Sequence, residues 1–62
     1  MINPEFVKTV AEECRDYAAK YGISITAALI IRTRGDQPGR GKLTYEEQDA
    51  VVAYLNRERE NE

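Results

Sequence analysis

The segment from Ala18 to Ile31 constrains the fold more than any other part of this 62-residue chain. It places Gly22 between two stretches of helix-forming residues, and glycine readily takes the left-handed conformation that ends a helix. Ser24, two residues later, is a good N-cap for a following helix. The pattern therefore predicts two helices that meet across a turn of a few residues.

Helix 1 is predicted to span residues 4–21. Asn3 is a suitable N-cap, and Pro4 suits the first helical position, where a missing N–H costs nothing. Apolar side chains then recur at alternating spacings of three and four, which places them on one face. That face comprises Val7, Val10, Cys14, Tyr17 and Tyr21, widened by Phe6, Ala11 and Ala18.

Helix 2 is predicted over residues 24–33, although the run from Ile23 to Thr26 also alternates like a strand. A lone strand would have no obvious partner in this chain, and the run from Ala27 to Leu29 favours a helix. We therefore expect a helix and keep the strand as the alternative.

Helix 3 is predicted over residues 45–59, after a glycine-rich loop at 34–43. Thr44 and Glu47 form a capping box, in which each side chain bonds to the other residue's backbone N–H. The polar tail at 57–62 is expected to fray. The predicted fold is thus all-α, a small three-helix domain over residues 1–62 with a helix-turn-helix-like arrangement. Its expected core comprises Phe6, Val10, Cys14, Tyr17, Ile23, Ala28, Ile31, Val51, Val52 and Leu55.

The length of the chain limits its stability. A core of this size usually supplies ~3–5 kcal/mol unless a disulfide or a metal strengthens it. One cysteine allows no intrachain disulfide, and the lack of histidine excludes zinc sites of the Cys/His kind. Self-association is a remaining source of stability, so a homodimer is among the expected assemblies.

The single cysteine is typical of a reducing cytoplasm, where we expect this protein. The first residues lack the basic and apolar runs of a signal peptide. The longest apolar run, from Ala27 to Ile31, is far too short to span a bilayer, so no membrane association is expected.

Charge is segregated along the chain, although the net charge is only −2. Residues 1–31 carry −1, residues 32–43 carry +3 and residues 44–62 carry −4. Only the central segment therefore attracts phosphate groups. Its cations either bind phosphate or belong to a solvated, flexible loop; they are Arg32, Arg34, Arg40 and Lys42.

The turn segment resembles the helix-turn-helix of bacterial repressors. That pattern has a small residue in its first helix, a glycine four positions later, then an apolar residue and often a serine. Here the matching residues are Ala18, Gly22, Ile23 and Ser24, followed by Ala28 and Ile31. The resemblance covers about residues 14–55. It extends into a third helix similar to that of the lactose-repressor headpieces, matched by Leu43 to Gln48, Val51 and Leu55.

This resemblance implies a small DNA-binding regulator of transcription, in which helix 2 enters the major groove of double-stranded DNA. The loop cations would then hold phosphates. The residues implied to contact nucleic acid are Ser24, Thr26, Arg32, Thr33, Arg34, Arg40 and Lys42.

Helix 2 also carries Ile25, Leu29 and Ile30 on the side that the resemblance turns toward DNA. Base edges are read mainly by Arg, Lys, Asn and Gln, whereas an outward apolar patch more often marks a protein interface. The second hypothesis is therefore a protein-binding inhibitor or adaptor of the phage or mobile-element type. It would use these three residues, Tyr45 or Tyr54 at the rim, and an acidic third helix. A third interpretation buries helix 2 on most sides.

Metal binding, cofactor binding and catalysis find little support. The run from Asp36 to Glu47 resembles a calcium-binding EF-hand loop, but Pro38 and Arg40 occupy positions that need oxygen ligands. The run from Gly35 to Lys42 has one residue too many for a phosphate-binding P-loop. Without histidine there is no ordinary nucleophile–base pair. We expect a non-enzymatic protein without metal, cofactor or small-molecule substrate.

Overall fold

A computed structural model describes residues 2–60, which form three α-helices and no strand. Helix α1 spans Pro4–Tyr21, α2 spans Ile25–Arg34 and α3 spans Tyr45–Glu60. The all-α prediction is confirmed, and the strand alternative for the segment after Gly22 is wrong. None of the helices in this part of the chain is both long and apolar enough to cross a membrane.

The helix starts are formed by the capping residues that the sequence predicts. The Asn3 side-chain oxygen accepts a hydrogen bond from the second residue of α1 at 2.8 Å. The Ser24 hydroxyl accepts one from the third residue of α2 at 3.1 Å. Thr44 and Glu47 exchange side-chain to backbone bonds of 2.8 and 3.1 Å, which completes the capping box.

The turn between α1 and α2 occurs at Gly22, whose φ of 66° lies in the left-handed region. The N–H groups of Gly22 and Ile23 both donate to the carbonyl of Ala18, the latter at 3.0 Å. These bonds satisfy the end of α1, as expected for a glycine C-cap.

The core lies between α1 and the other two helices. Both α2 and α3 pack extensively on α1, whereas they contact each other much less. A seam between α2 and α3 is therefore left open. The buried apolar residues are Val7, Val10, Ala11, Cys14, Ala18, Ala28, Leu29, Leu43 and Val51.

The predicted core is confirmed in part. Four of its members are buried, namely Val10, Cys14, Ala28 and Val51. Five are half-buried, namely Phe6, Tyr17, Ile23, Ile31 and Leu55. The prediction for Val52 is wrong, because its side chain is 41% exposed. Adjacent residues point about 100° apart around a helix, and on α3 it is Val51 that faces the core, so Val52 lies toward the exposed side.

The prediction that Leu29 points outward is also wrong, because its side chain is only 2% exposed. Ala28 and Leu29 together form the inner side of α2. Ile25, in the first turn of α2, and Ile30 are 37% and 41% exposed. Leu29 is thus a core residue and not an exposed one.

The connection between α2 and α3 is attached to the core at several points. Gln37 is buried, and its Nε2 donates to the carbonyl of Ala28 at 3.0 Å. The guanidinium of Arg32 donates to the carbonyl of Gly41. The N–H of Leu43 donates to a carbonyl of α2 at 3.2 Å, and the Leu43 side chain enters the core.

The expected frayed tail at 57–62 is helical as far as Glu60, and residues 61 and 62 lie outside the described part of the chain. An ion pair between Arg15 of α1 and Glu58 of α3 joins this last turn to the rest of the molecule. The end of α3 is therefore supported by a tertiary contact that its polar sequence does not reveal.

Neighbouring residues of α2 are expected to differ sharply in their effect on stability. Leu29→Ala leaves a cavity in the core and should cost ~2–5 kcal/mol, enough to unfold much of the population. Ile30→Ala removes a side chain that is 41% exposed and should cost less than about 1 kcal/mol. Urea unfolding followed by circular dichroism measures both. Equal costs would contradict the orientation of α2.

Candidate functional site

Two open depressions lie one after the other along the seam between α2 and α3, where these helices pack little on each other. One half, a depression of ≈ 410 Å³, lies between the start of α2 and the end of α3. The other half, of ≈ 660 Å³, lies between the end of α2 and the start of α3. The first half is lined by Arg15, Ile25, Thr26, Leu29, Val52, Leu55, Asn56 and Arg59. The second is lined by Ile30, Thr33, Arg34, Lys42, Leu43, Thr44, Tyr45 and Gln48. We call the two halves together the α2–α3 groove.

The groove collects most of the exposed apolar surface of the described chain. Within residues 2–60, five large hydrophobic side chains are exposed, and four of them line this groove. Those four are Ile25, Ile30, Tyr45 and Val52. Scattered exposed hydrophobic residues are normal on a protein surface, but a cluster of them marks a surface that other molecules contact.

Arg32 does not join the other predicted phosphate contacts. It is only 7% exposed, and its Nη1 bonds to the carbonyl of Gly41. The side chain leaves α2 on the buried side, next to Ala28 and Leu29. Its charge therefore holds the loop in place and is not available to a phosphate.

Arg40 is also engaged within the protein, in an ion pair with Glu13 of α1. Among the loop cations, this leaves Arg34 and Lys42, both exposed and without an ion pair to the side chains of residues 2–59. Lys42 lies close to Gly35, where a Cβ would be 2.7 Å from the lysine Cγ. Gly35 has a φ of 82° and so permits both the end of α2 and this close approach.

The predicted nucleic-acid contacts are therefore divided by the fold. Ser24 uses its hydroxyl to cap α2, and Thr33 donates its hydroxyl to the carbonyl of Leu29 at 2.8 Å. The groove brings together Thr26, Thr33, Arg34 and Lys42, whereas Ser24, Arg32 and Arg40 lie outside it.

The fold brings the predicted protein-interface residues together more completely than it does the predicted nucleic-acid contacts. Ile25, Ile30 and Tyr45 are exposed in the groove, and Leu29 forms part of its floor. Tyr54 is the exception, because it lines a separate depression between α3 and the start of α1. The fold therefore does not bring Tyr54 together with Ile25, Ile30 and Tyr45.

The acidic side of α3 does not face the groove either. Among residues 2–59, sixteen line the groove, and none of these is Asp or Glu. The residues that α3 contributes to the groove form a helical stripe at spacings of three and four. These residues, most of which sequence reasoning missed, are Tyr45, Gln48, Val52, Leu55, Asn56 and Arg59. Gln48, Asn56 and Arg59 interrupt the apolar pattern of this stripe. Apolar periodicity alone therefore does not reveal it in the sequence.

A hydrogen-bonded cluster neutralises Arg15 at the margin of the groove. Tyr54 and Arg15 both flank the Glu58 carboxylate, and Arg15 forms an ion pair with it. The hydrogen bond from Tyr54 and then that from Arg15 lower the pKa of Glu58. The bond to Glu58 correspondingly raises the pKa of Tyr54. Arg15 therefore adds less positive charge to the groove than Arg34, Lys42 and Arg59 do.

The remaining reactive group, the Cys14 thiol, is enclosed in the core. Burial raises its pKa, so the thiol stays protonated at neutral pH. Within residues 2–60, no three His, Cys, Asp or Glu side chains are placed to hold a metal ion. The groove itself offers apolar, hydroxyl, amide and guanidinium groups, a combination suited to non-covalent binding.

Comparison of this chain with protein-family models, with curated proteins and with solved structures found no significant match.

The pKa of Glu58 gives the stability a defined pH dependence. Because the folded pKa is lowered, the stabilisation is complete above the unfolded pKa and is lost as the pH falls through the folded one. Tyr54→Phe should raise the Glu58 pKa, as measured by NMR of the side-chain carboxyl carbon. It should also lower stability at neutral pH but not in acid.

Tyr45→Phe is the matched control, because Tyr45 lies on the same helix, is 82% exposed and is remote from Glu58. An unchanged Glu58 pKa in Tyr54→Phe would contradict the hydrogen bond.

Proposed function

We propose that this protein is a non-enzymatic protein-binding module and that the α2–α3 groove is its binding surface. The observation that carries the proposal is the clustering of Ile25, Ile30, Tyr45 and Val52 in one groove. An inhibitor or adaptor acts in this way, since it needs only to cover part of a partner's surface.

The energetics favour a protein partner. Full burial of an aliphatic side chain contributes about 1.5–3 kcal/mol relative to full exposure. Ile25, Ile30 and Val52 still expose 37–41% of their surface and therefore retain part of that free energy for binding. Aromatic and aliphatic side chains at the centre of an interface commonly dominate its affinity.

A helix-turn-helix-like DNA-binding regulator is the second candidate function, favoured by the single sign of charge along the groove. Arg34, Lys42 and Arg59 line it, and no carboxylate of residues 2–59 does. Strong electrostatic binding to DNA nevertheless calls for more charge, on the order of 6–10 phosphate contacts. Three cations separated by isoleucine and valine side chains meet this requirement poorly, so the apolar cluster takes precedence.

The protein-binding proposal is tested with Ile30→Glu, which puts a charge in the middle of the groove at an exposed position. It should abolish co-purification of a partner from a lysate of the source cell and leave the urea unfolding midpoint nearly unchanged. Ala19→Glu adds the same charge at an exposed position of α1 outside the groove and should retain the partner. Equal capture of the partner by the wild-type protein and by both variants would contradict the proposal. Leu29→Glu is unsuitable, because it would place a carboxylate in the core.

The DNA-binding candidate makes a different prediction. In an NMR titration with a random-sequence duplex at low salt, shifts should centre on Arg34, Lys42 and Arg59. Affinity should fall with salt at a log–log slope of about −3, since each phosphate contributes about −0.9. Arg34→Ala should weaken binding, whereas the neighbouring buried Arg32 should show no direct contact. An absence of shifts at low salt would exclude this function.

A further inference from the structure

The α2–α3 groove has the same sign of charge at its two ends. Arg34 and Lys42 lie at the end formed by the C-terminus of α2. Arg59 lies at the opposite end, near the C-terminus of α3. Between them the large exposed side chains are the apolar Ile30 and Val52, accompanied by uncharged polar residues such as Gln48. A complementary occupant therefore has an apolar middle and acidic ends.

We propose that the groove binds an amphipathic helix of a partner protein, with an apolar stripe at its centre and carboxylates near both of its ends. This inference rests on the protein-binding function proposed above and specifies the chemistry of the partner.

The backbone of the groove favours a helix over an extended peptide. Both walls are α-helices, whose N–H and C=O groups bond within the helix itself. They leave no free edge to which an extended strand could add. A helix instead inserts side chains at i, i+3, i+4 and i+7 into a groove between two others. The α3 side of the groove runs from Tyr45 to Arg59, which is about 21 Å at 1.5 Å per residue. An occupant of about four helical turns matches that length.

The charges disfavour a second copy of this chain as the occupant. In a two-fold symmetric pair, the same surface of each copy meets the other, so basic ends would face basic ends in either direction. The outer side of α1 does carry acidic residues, but its exposed positions are polar or small. They include Lys8, Thr9, Glu12, Asp16 and Ala19. This side has no apolar stripe to fill the middle of the groove.

The charge on the rest of the chain also favours an acidic partner at the groove. The whole chain has nine basic and eleven acidic residues. Among residues 2–59, four of these basic residues line the groove, including the neutralised Arg15, whereas five basic and nine acidic residues lie outside it, a net charge of −4. An acidic partner is therefore attracted to the groove and repelled by the remaining surface, which guides its approach.

A peptide-display selection tests the inference. The library holds random peptides of about 16 residues, long enough for four helical turns. It is selected on the wild-type protein after removal of peptides that also bind Ile30→Glu. The enriched peptides should carry apolar residues at helical spacing flanked by Asp or Glu. An enriched peptide should become helical on binding and shift the NMR signals of Ile30, Val52 and Arg59.

Charge reversal supplies the matched comparison. Arg59→Glu should weaken binding of an enriched peptide by about tenfold at low salt, and less at high salt. Arg57→Glu makes the same change on the same helix, but Arg57 lines the other depression, so affinity should change little.

Three results would overturn the inference. They also distinguish a failure of the acidic-helix inference from a failure of the proposed protein-binding function. Ile30-dependent peptides without acidic ends would refute the acidic helix and leave the protein-binding function standing. A failure to enrich any Ile30-dependent peptide would refute both. A dimer in analytical ultracentrifugation that Ile30→Glu dissociates would make a second copy the occupant and refute the acidic partner.

Discussion

The polar contacts that hold the α2–α3 connection on the core are the constraint on which the rest of this structure depends. Gln37 donates to the carbonyl of Ala28, and Arg32 donates to the carbonyl of Gly41. Each bond joins residues nine positions apart, across the turn that follows α2. A hydrogen bond of this kind contributes only about 0.5–1.5 kcal/mol net, but a buried polar group without a partner costs more. Because the connection is held close, Leu43 enters the core and α3 begins where Val51 can pack on α1. A glycine-rich segment thereby becomes part of the packed structure.

The same contacts decide which charges remain for binding. Arg32 is used inside the protein, and Arg40 is balanced by Glu13. The positive segment at 32–43 therefore presents less free charge to a partner than its composition indicates. Arg34 and Lys42 retain their charge at one end of the groove, and Arg59 adds a cation from a segment that is acidic overall. Electrostatics at the surface follows the three-dimensional arrangement of side chains and not the linear distribution of charge.

The groove itself results from the way two helices share a third. The apolar face of α1 is long enough to receive both α2 and α3, and each packs on α1 better than on the other. Helix α2 has only ten residues, and small side chains such as Ala28 lie on the side of the helix that packs on the core. Two helices that meet a common partner at its surface leave a furrow between them, and the exposed Ile30 and Val52 border it. In so small a domain, apolar side chains outnumber the places inside the core, so some of them remain on the surface.

The sequence by itself determined the number of helices, their bounds to within one residue, and the caps at Asn3, Ser24, Gly22 and the Thr44–Glu47 box. These features depend on hydrogen bonds between residues no more than about four positions apart, so local chemistry is sufficient to predict them. The orientation of α2 was decided only by the tertiary structure. Its apolar residues surround most of the helix, and periodicity therefore cannot distinguish the buried Leu29 from the exposed Ile30. The role of Arg32 and the contribution of Arg59 to the groove likewise depend on partners that are distant in sequence and become neighbours only when three helices pack.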